Sequence, residues 1–238
     1  MDDDLTAYEQ AIAVDPCLDE AYTDLAERLL ELERPAEAIA AYRRGLAALP
    51  DNVTLLNDLG TTLADEGQIA EAVELLERAL ALTPDDEMLL FNLGTFHDHA
   101  GRLEIAISYY RRALQVKPDD LGAAYNLGLC LQESEQYADA LHQFALVIEN
   151  GGNQLEAAYL NAGLCFSRLG QLPMAEAACR RSVEIQPDYH LGWFNLGCLC
   201  ERQHRPEEAL SAFGEAQRCD PDDEETQEWI EALSSELP

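Results

Sequence analysis

Cys198-Leu199-Cys200 sets two thiols two residues apart, and His97 and His99 set two imidazoles at the same separation. Thiolates and imidazoles are the usual zinc ligands, but a zinc knuckle needs Cys-x2-Cys, one residue more than this chain offers. Both pairs fall in stretches of helical periodicity, where neighbours two apart point to different faces. They are therefore expected as core or surface residues, and no metal site is expected. The other cysteines are Cys17, Cys130, Cys165, Cys179 and Cys219. An odd, scattered set does not form a disulfide framework and reads as small reduced core residues. The chain has no Gly-rich phosphate loop, no nucleophile elbow and no metalloprotease motif. The expectation is a protein without catalytic residues and without cofactors, not an enzyme.

A different polar set has the regularity that chemistry requires. Asp24, Asp58, Asn92, Asn126, Asn161 and Asn195 recur at intervals of 34 or 35 residues, each just before a pair of the Leu-Gly type. An Asn amide donates to a carbonyl and accepts from an N–H, so spaced amides suit the backbone of an extended peptide. The same column could instead keep a surface wet or brace neighbouring loops. Phe91, Tyr125 and Phe194 each precede one of these residues and are read either as stacking floors or as packing residues. About one helical turn beyond each Leu-Gly pair stand Glu31, Asp65, His99, Glu133, Arg168 and Arg202. That row changes from acidic to basic along the chain. Arg168 and Arg202 suit an acidic segment bidentately and the acidic members suit a basic one, or all are solvated charges.

The elements behind this register are helices. Prolines in Asp-Pro or Pro-Asp contexts (Pro16, Pro50, Pro84, Pro118, Pro187 and Pro221) fall at intervals of 34, 34, 34, 69 and 34, and Gly151-Gly152 stands where a proline is missing. Each period holds two segments with apolar residues at i, i+3, i+4 and i+7. Glu66-Gly67-Gln68, Ala100-Gly101-Arg102 and Leu169-Gly170-Gln171 mark turns between the two. The Leu-Gly glycine is expected where the two helices cross, so added bulk at Gly128 would overpack it. The second-helix alanines are expected where the next period packs. Gly151-Gly152 is expected to loosen the 149–156 connection.

The last full period reads Trp193-Phe194-Asn195-Leu196-Gly197, Cys200, Ala209, Phe213, Ala216 and Pro221. It resembles the tetratricopeptide repeat, with its order W-x2-L-G-x2-Y, A-x3-F, P. The periods at 53–86, 87–120 and 121–155 fit as well. Those at 19–52 and 156–189 fit with Ala26 for the glycine and Cys179 for the large apolar residue. The resemblance implies an all-α fold, a right-handed solenoid of stacked antiparallel hairpins whose first helices line a concave groove. In that groove the Asp/Asn column is similar to the asparagine ladder of the O-linked N-acetylglucosamine transferase repeats. The family's chaperone-tail clamp uses groove lysines, whereas this chain has one lysine, Lys117, outside the first helices.

The expected organisation is an N-terminal half-repeat at 1–18, six repeats (19–52, 53–86, 87–120, 121–155, 156–189 and 190–223) and a C-terminal capping helix at 224–238. Residues 5–15 match a second helix only, with Asp2 to Asp4 favouring its dipole. In the capping helix Glu231 takes the glycine slot. A half-repeat start also fits a piece of a longer protein. The net charge of −31, from 46 acidic and 15 basic residues, opposes nucleic acid and anionic lipid. No apolar run reaches membrane-spanning length, and the first residues do not read as a secretory signal, so a cytoplasmic protein is expected. The functional expectation is a scaffold holding a peptide or helix of a partner protein. The alternatives are the substrate-recruiting region of a larger enzyme, such as a glycosyltransferase, and a self-assembling structural protein.

Overall fold

The computed structural model describes residues 3–236, which among them form fourteen α-helices and no strand. The chain divides into two compact units, Met1–Pro118 and Asp119–Pro238. The first holds α1 (Asp3–Val14), α2 (Asp19–Glu31), α3 (Pro35–Ala48), α4 (Val53–Asp65), α5 (Ile69–Leu82), α6 (Glu87–His99) and α7 (Leu103–Val116). The second holds α8 (Leu121–Glu133), α9 (Tyr137–Asn150), α10 (Leu155–Arg168), α11 (Leu172–Ile185), α12 (His190–Arg202), α13 (Pro206–Cys219) and α14 (Glu224–Glu236). The fold is an all-α solenoid. Its hairpins are α2–α3, α4–α5 and α6–α7 in the first unit, and α8–α9, α10–α11 and α12–α13 in the second. Within each unit the second helix of one hairpin packs on the first helix of the next. First helices also touch one another, α2 with α4 and α4 with α6, then α8 with α10 and α10 with α12.

Helix starts follow from the residues after each proline. Asn52, Asp86 and Asp120 lie two positions beyond Pro50, Pro84 and Pro118, and each side chain accepts a backbone N–H of the first turn it caps. A proline ends one helix and a short acceptor begins the next, because the first N–H groups of a helix have no internal partner.

Hairpins close by large side chains seated on glycine. A Cβ on Gly94, Gly128 or Gly197 would meet the ring of Tyr110, Phe144 or Phe213 at 2.7 Å, so only glycine admits the approach. The rings are fully buried, each contributing about 1.5–3 kcal/mol of apolar transfer. Ala72 and Ala175 depart from expectation. Their carbonyl oxygens lie 3.4 and 3.1 Å from a Cβ built on Gly60 and Gly163, so these alanines lie at the crossing inside the hairpin and not at the junction with the next. A short side chain is needed on both sides of so close a crossing.

All seven cysteines are free; Cys130, Cys165, Cys179 and Cys200 are buried, while Cys17 is exposed, in the turn between α1 and α2. Asp3 and Asp4 occupy the first turn of α1, and Asp2 lies outside the described residues. At Gly151 the chain turns left-handed (φ 69), and Gly152 donates its N–H to Val147 O at 3.2 Å, closing the end of α9. In α14, Trp229 stacks on Phe213 at 5.6 Å and Leu233 is buried, while Glu231 is exposed. The last two residues of the expected capping segment lie outside the described residues.

Candidate functional site

The Asp/Asn column lies on first helices throughout: Asp24 on α2, Asp58 on α4 and Asn92 on α6 in one unit, Asn126 on α8, Asn161 on α10 and Asn195 on α12 in the other. Asp24 is exposed and the other five are half-buried. Part of the column braces its own helices. Asn92 Nδ2 donates to Asn57 Oδ1 at 3.0 Å, and Asn57 Nδ2 donates to Asp58 Oδ1 at 3.2 Å, linking α4 to α6. Asn161 Nδ2 donates to the Tyr125 hydroxyl at 3.1 Å, linking α8 to α10. Asn195 Nδ2 bonds the Leu191 carbonyl of its own helix at 2.8 Å. Each of these three amides commits only Nδ2 in these bonds. Asn57 was not legible as a member, because which residue of one hairpin meets the next depends on a rotation that the spacing does not encode.

The three aromatics pack within hairpins. Phe91 meets Tyr110, Tyr125 meets Phe144 and Phe194 meets Phe213, edge to face, with centroids 5.8, 6.0 and 5.5 Å apart. Each sets its ring against the side chain seated on the hairpin glycine, which fixes the rotation of the first helix and the outlook of the Asn beside it. All three remain half-buried.

Charge differs between the units. Glu20, Asp24, Glu27 and Glu31 are all exposed on α2. Burial holds the Asp58 carboxyl above the usual carboxylate range; the Asn57 amide partly offsets this and the Glu27 charge adds to it. Asp65, His99, Glu133, Arg168 and Arg202 are exposed at first-helix ends. In the second unit Gly163, Leu164, Ser167 and Arg168 of α10 and Asn195, Cys198, Leu199 and Arg202 of α12 line a cleft of about 290 Å³. The sequence offered Asn195 and the two arginines. Ser167, Leu164 and Cys198 join them through the contact of α10 with α12.

Three further clusters have the residue types of chemistry. Glu176, Cys200 and Glu208 bring ligand atoms within 4.8 Å of one another. Arg205 Nη2 binds Glu176 Oε2 at 2.6 Å, Gln203 Nε2 binds the same oxygen at 3.0 Å, and Arg180 pairs with Glu176 Oε1. Two guanidiniums balance the two carboxylates, and the group ties α11 to the α12–α13 turn. His190 Nε2 lies 3.0 Å from Asp223 Oδ2 and 3.3 Å from Thr226 Oγ1. Thr226 is fully buried, and its N–H and hydroxyl both go to Asp223. The set caps α14 and fastens it to α12. His97, 4% exposed, stacks on Tyr109 with centroids 5.5 Å apart, and neither ring nitrogen has a hydrogen-bond partner among the described residues. Burial pushes the Cys198 thiol up to about 11, helped by Glu225 and Glu201, so it stays protonated at neutral pH and is not a poised nucleophile.

The Tetratricopeptide repeat family matches residues 5–53, 23–87 and 57–120, and again 190–223. Residues 99–182 match the family of Anaphase-promoting complex, cyclosome, subunit 3. With the paired helices, the glycine crossings and these matches, the chain belongs to the tetratricopeptide repeat family. No curated protein sequence matches it. Among solved structures, the C-terminal part of a TPR repeat-containing protein from Cytophaga hutchinsonii superposes with a TM-score of 0.78 at 15% identity, over 95% of this chain and 93% of that one. YrrB, described as a TPR protein with an unusual peptide-binding site, gives 0.57 at 20% identity over 97% and 98%. The APC/C hetero-tetramer Cut9-Hcn1 gives 0.67 at 14% identity. There the match covers 98% of this chain but 46% of the other, so the chain spans under half the length of that relative. At these identities the likeness is one of fold.

Proposed function

We propose that this protein is an interaction scaffold that holds extended or helical partner-protein segments against the first-helix face of each unit. Asp24 and Asp58, with Asn92, Asn126, Asn161 and Asn195, grip the segments' backbones. Arg168 and Arg202 meet their charged side chains, and Phe91, Tyr125 and Phe194 set the outlook of the neighbouring amides. The observation that carries the reading is the column itself, six Asp or Asn residues at one register of six first helices. Asn92, Asn161 and Asn195 use Nδ2 to brace the fold and keep Oδ1 for a backbone N–H. Asn126 lies between them in register. A repeat scaffold presents such a face by stacking, and each unit here has three adjoining first helices to do so. The peptide-binding site described for YrrB and the hetero-tetramer of Cut9-Hcn1 are properties of those proteins; they accord with a protein-binding role for this one.

The test replaces Asn92, Asn126, Asn161 and Asn195 together by Ala. The helical circular-dichroism signal should persist while affinity capture of partners from a lysate of the native host is lost. Recovery of the same partners in the same amounts would reject the column as the grip.

A further inference from the structure

The cleft between α10 and α12 has more character than a wet groove. We infer that it is a subsite for one acidic side chain of the bound segment, with the carboxylate held between Arg168 and Arg202 and an apolar neighbour resting on Leu164, Cys198 and Leu199. The inference rests on the scaffold reading above and names what one part of the face selects.

Three observations carry it. The first is the gradient along the cleft. On α12 the side facing the cleft runs Asn195, Cys198, Arg202, and on α10 it runs Leu164, Arg168. Seven residues of helix from Asn195 to Arg202 span about 10 Å, which is three residues of extended chain. A segment lying along the helices meets an amide, then carbon and sulfur, then two guanidiniums. The Cys198 thiol is protonated at neutral pH, so the middle is uncharged.

The second is the state of the two arginines. This chain has 46 acidic residues and 15 basic ones, and most other cations are committed. Arg34 pairs with Glu37, Arg43 with Glu71, Arg44 with Glu9, Lys117 with Glu87, and Arg205 with Glu176. Among the described residues Arg168 has no hydrogen-bonded or ion-paired partner, and Arg202 has only the Ser167 hydroxyl, to which its Nη1 donates. That hydroxyl keeps its own hydrogen to donate. Glu201 directly precedes Arg202 yet does not pair with it. Where carboxylates are plentiful, two arginines line one cleft without a carboxylate partner, Arg168 with its planar fork open and Arg202 with Nη1 on Ser167 and its other N–H groups left to donate, donors suited to a carboxylate.

The third is the charge of the rest. A net charge of −31 repels a run of acids, so the occupant carries a single acid among apolar residues. The exposed Leu191, one turn before Asn195, extends the apolar surface that such neighbours would cover.

The probe is the capped tripeptide leucyl-glutamyl-leucine amide, which has no terminal carboxylate, titrated into the full chain. The side-chain Nε–Hε resonances of Arg168 and Arg202 are followed by NMR. Saturable shifts of both are expected, with binding about tenfold or more weaker for the glutaminyl tripeptide and for the double variant Arg168→Gln, Arg202→Gln. Both arginines are exposed, and an unchanged circular-dichroism spectrum verifies that the variant is folded. Equal binding of the glutaminyl tripeptide overturns the inference. So does tighter binding of a phosphoseryl tripeptide, which would assign the cleft to a phosphoryl group. If the four Asn→Ala replacements abolish partner capture while the arginine pair changes nothing, the subsite falls and the scaffold stands. If the tripeptide binds as expected but the Asn variant keeps its partners, the subsite stands and the amide column falls.

Discussion

Six residues in six equivalent turns adopt left-handed backbone: Glu33 (φ 58), Gly67 (φ 77), Gly101 (φ 68), Glu135 (φ 59), Gly170 (φ 76) and His204 (φ 57). Three are glycines, for which this conformation is free. The other three carry a Cβ that crowds the following carbonyl. Glu135→Gly relieves that crowding at the expense of a more flexible unfolded chain, leaving a net gain of roughly 0.5–1 kcal/mol. A higher urea midpoint at unchanged slope is the expected result, and a lower midpoint would mean that the Glu135 side chain contributes more than its backbone costs. The glycine turns were legible in the sequence. The equivalence of Glu135 to Gly101 is present there only as a spacing of 34, since nothing about a glutamate announces a positive φ.

Helices were more legible than their contacts. Asp-Pro and Pro-Asp punctuation and glycine crossings locate each hairpin, because capping and close approach are local demands that particular residue types must meet. The bonds from Asn92 to Asn57 and from Asn161 to Tyr125 were not legible. They depend on the rotation of one hairpin against the next, which follows from the summed packing of many side chains. His97 is the same kind of case. Its spacing from His99 sets the two on different faces without saying which is inward, and the structure shows His97 buried in α6 against Tyr109 of α7, whose ring also lies 5.8 Å from the Arg112 guanidinium. Burial chiefly, with the charge of Arg102, holds the imidazole pKa below its ordinary value, and Glu77 opposes them. The unfolded chain then takes up a proton at about pH 6.5 that the native hairpin resists. Stability from this residue is full above that pH and is lost as the pH falls from there towards the depressed native value. Relative to His97→Leu, the wild type should lose urea resistance between about pH 7.5 and about pH 5.5. A gap between the two proteins that does not change with pH would show that His97 is accommodated in its charged form. The comparison of the two chains cancels the titration of the acidic surface.

At the scale of the whole chain, the repeat period gave the solenoid, yet the boundary between compact units lies at Pro118 and Asp119, where the 34-residue spacing runs unbroken. The irregular Gly151-Gly152 sits inside the second unit, at the closed end of α9. Where packing is densest depends on which side chains fill each junction, and the period says nothing of that. Charge is the other property of the whole. Pairs such as Arg43 with Glu71 and Arg181 with Glu184 join exposed side chains, and each contributes about 0–1 kcal/mol. Against them stands a net charge of −31, whose self-repulsion disfavours every compact state. Salt screens both, but the pairs gain little to begin with, while the repulsion sums over 46 acidic groups and is cut steeply once the screening length falls to about 4–5 Å. Raising sodium chloride from about 20 mM to about 500 mM should therefore raise the melting temperature by a few degrees. Potassium chloride should do the same, since screening does not distinguish the two cations and a specific site would. A melting temperature that falls with salt would show that the local ion pairs, and not the net charge, set the electrostatic balance of this solenoid.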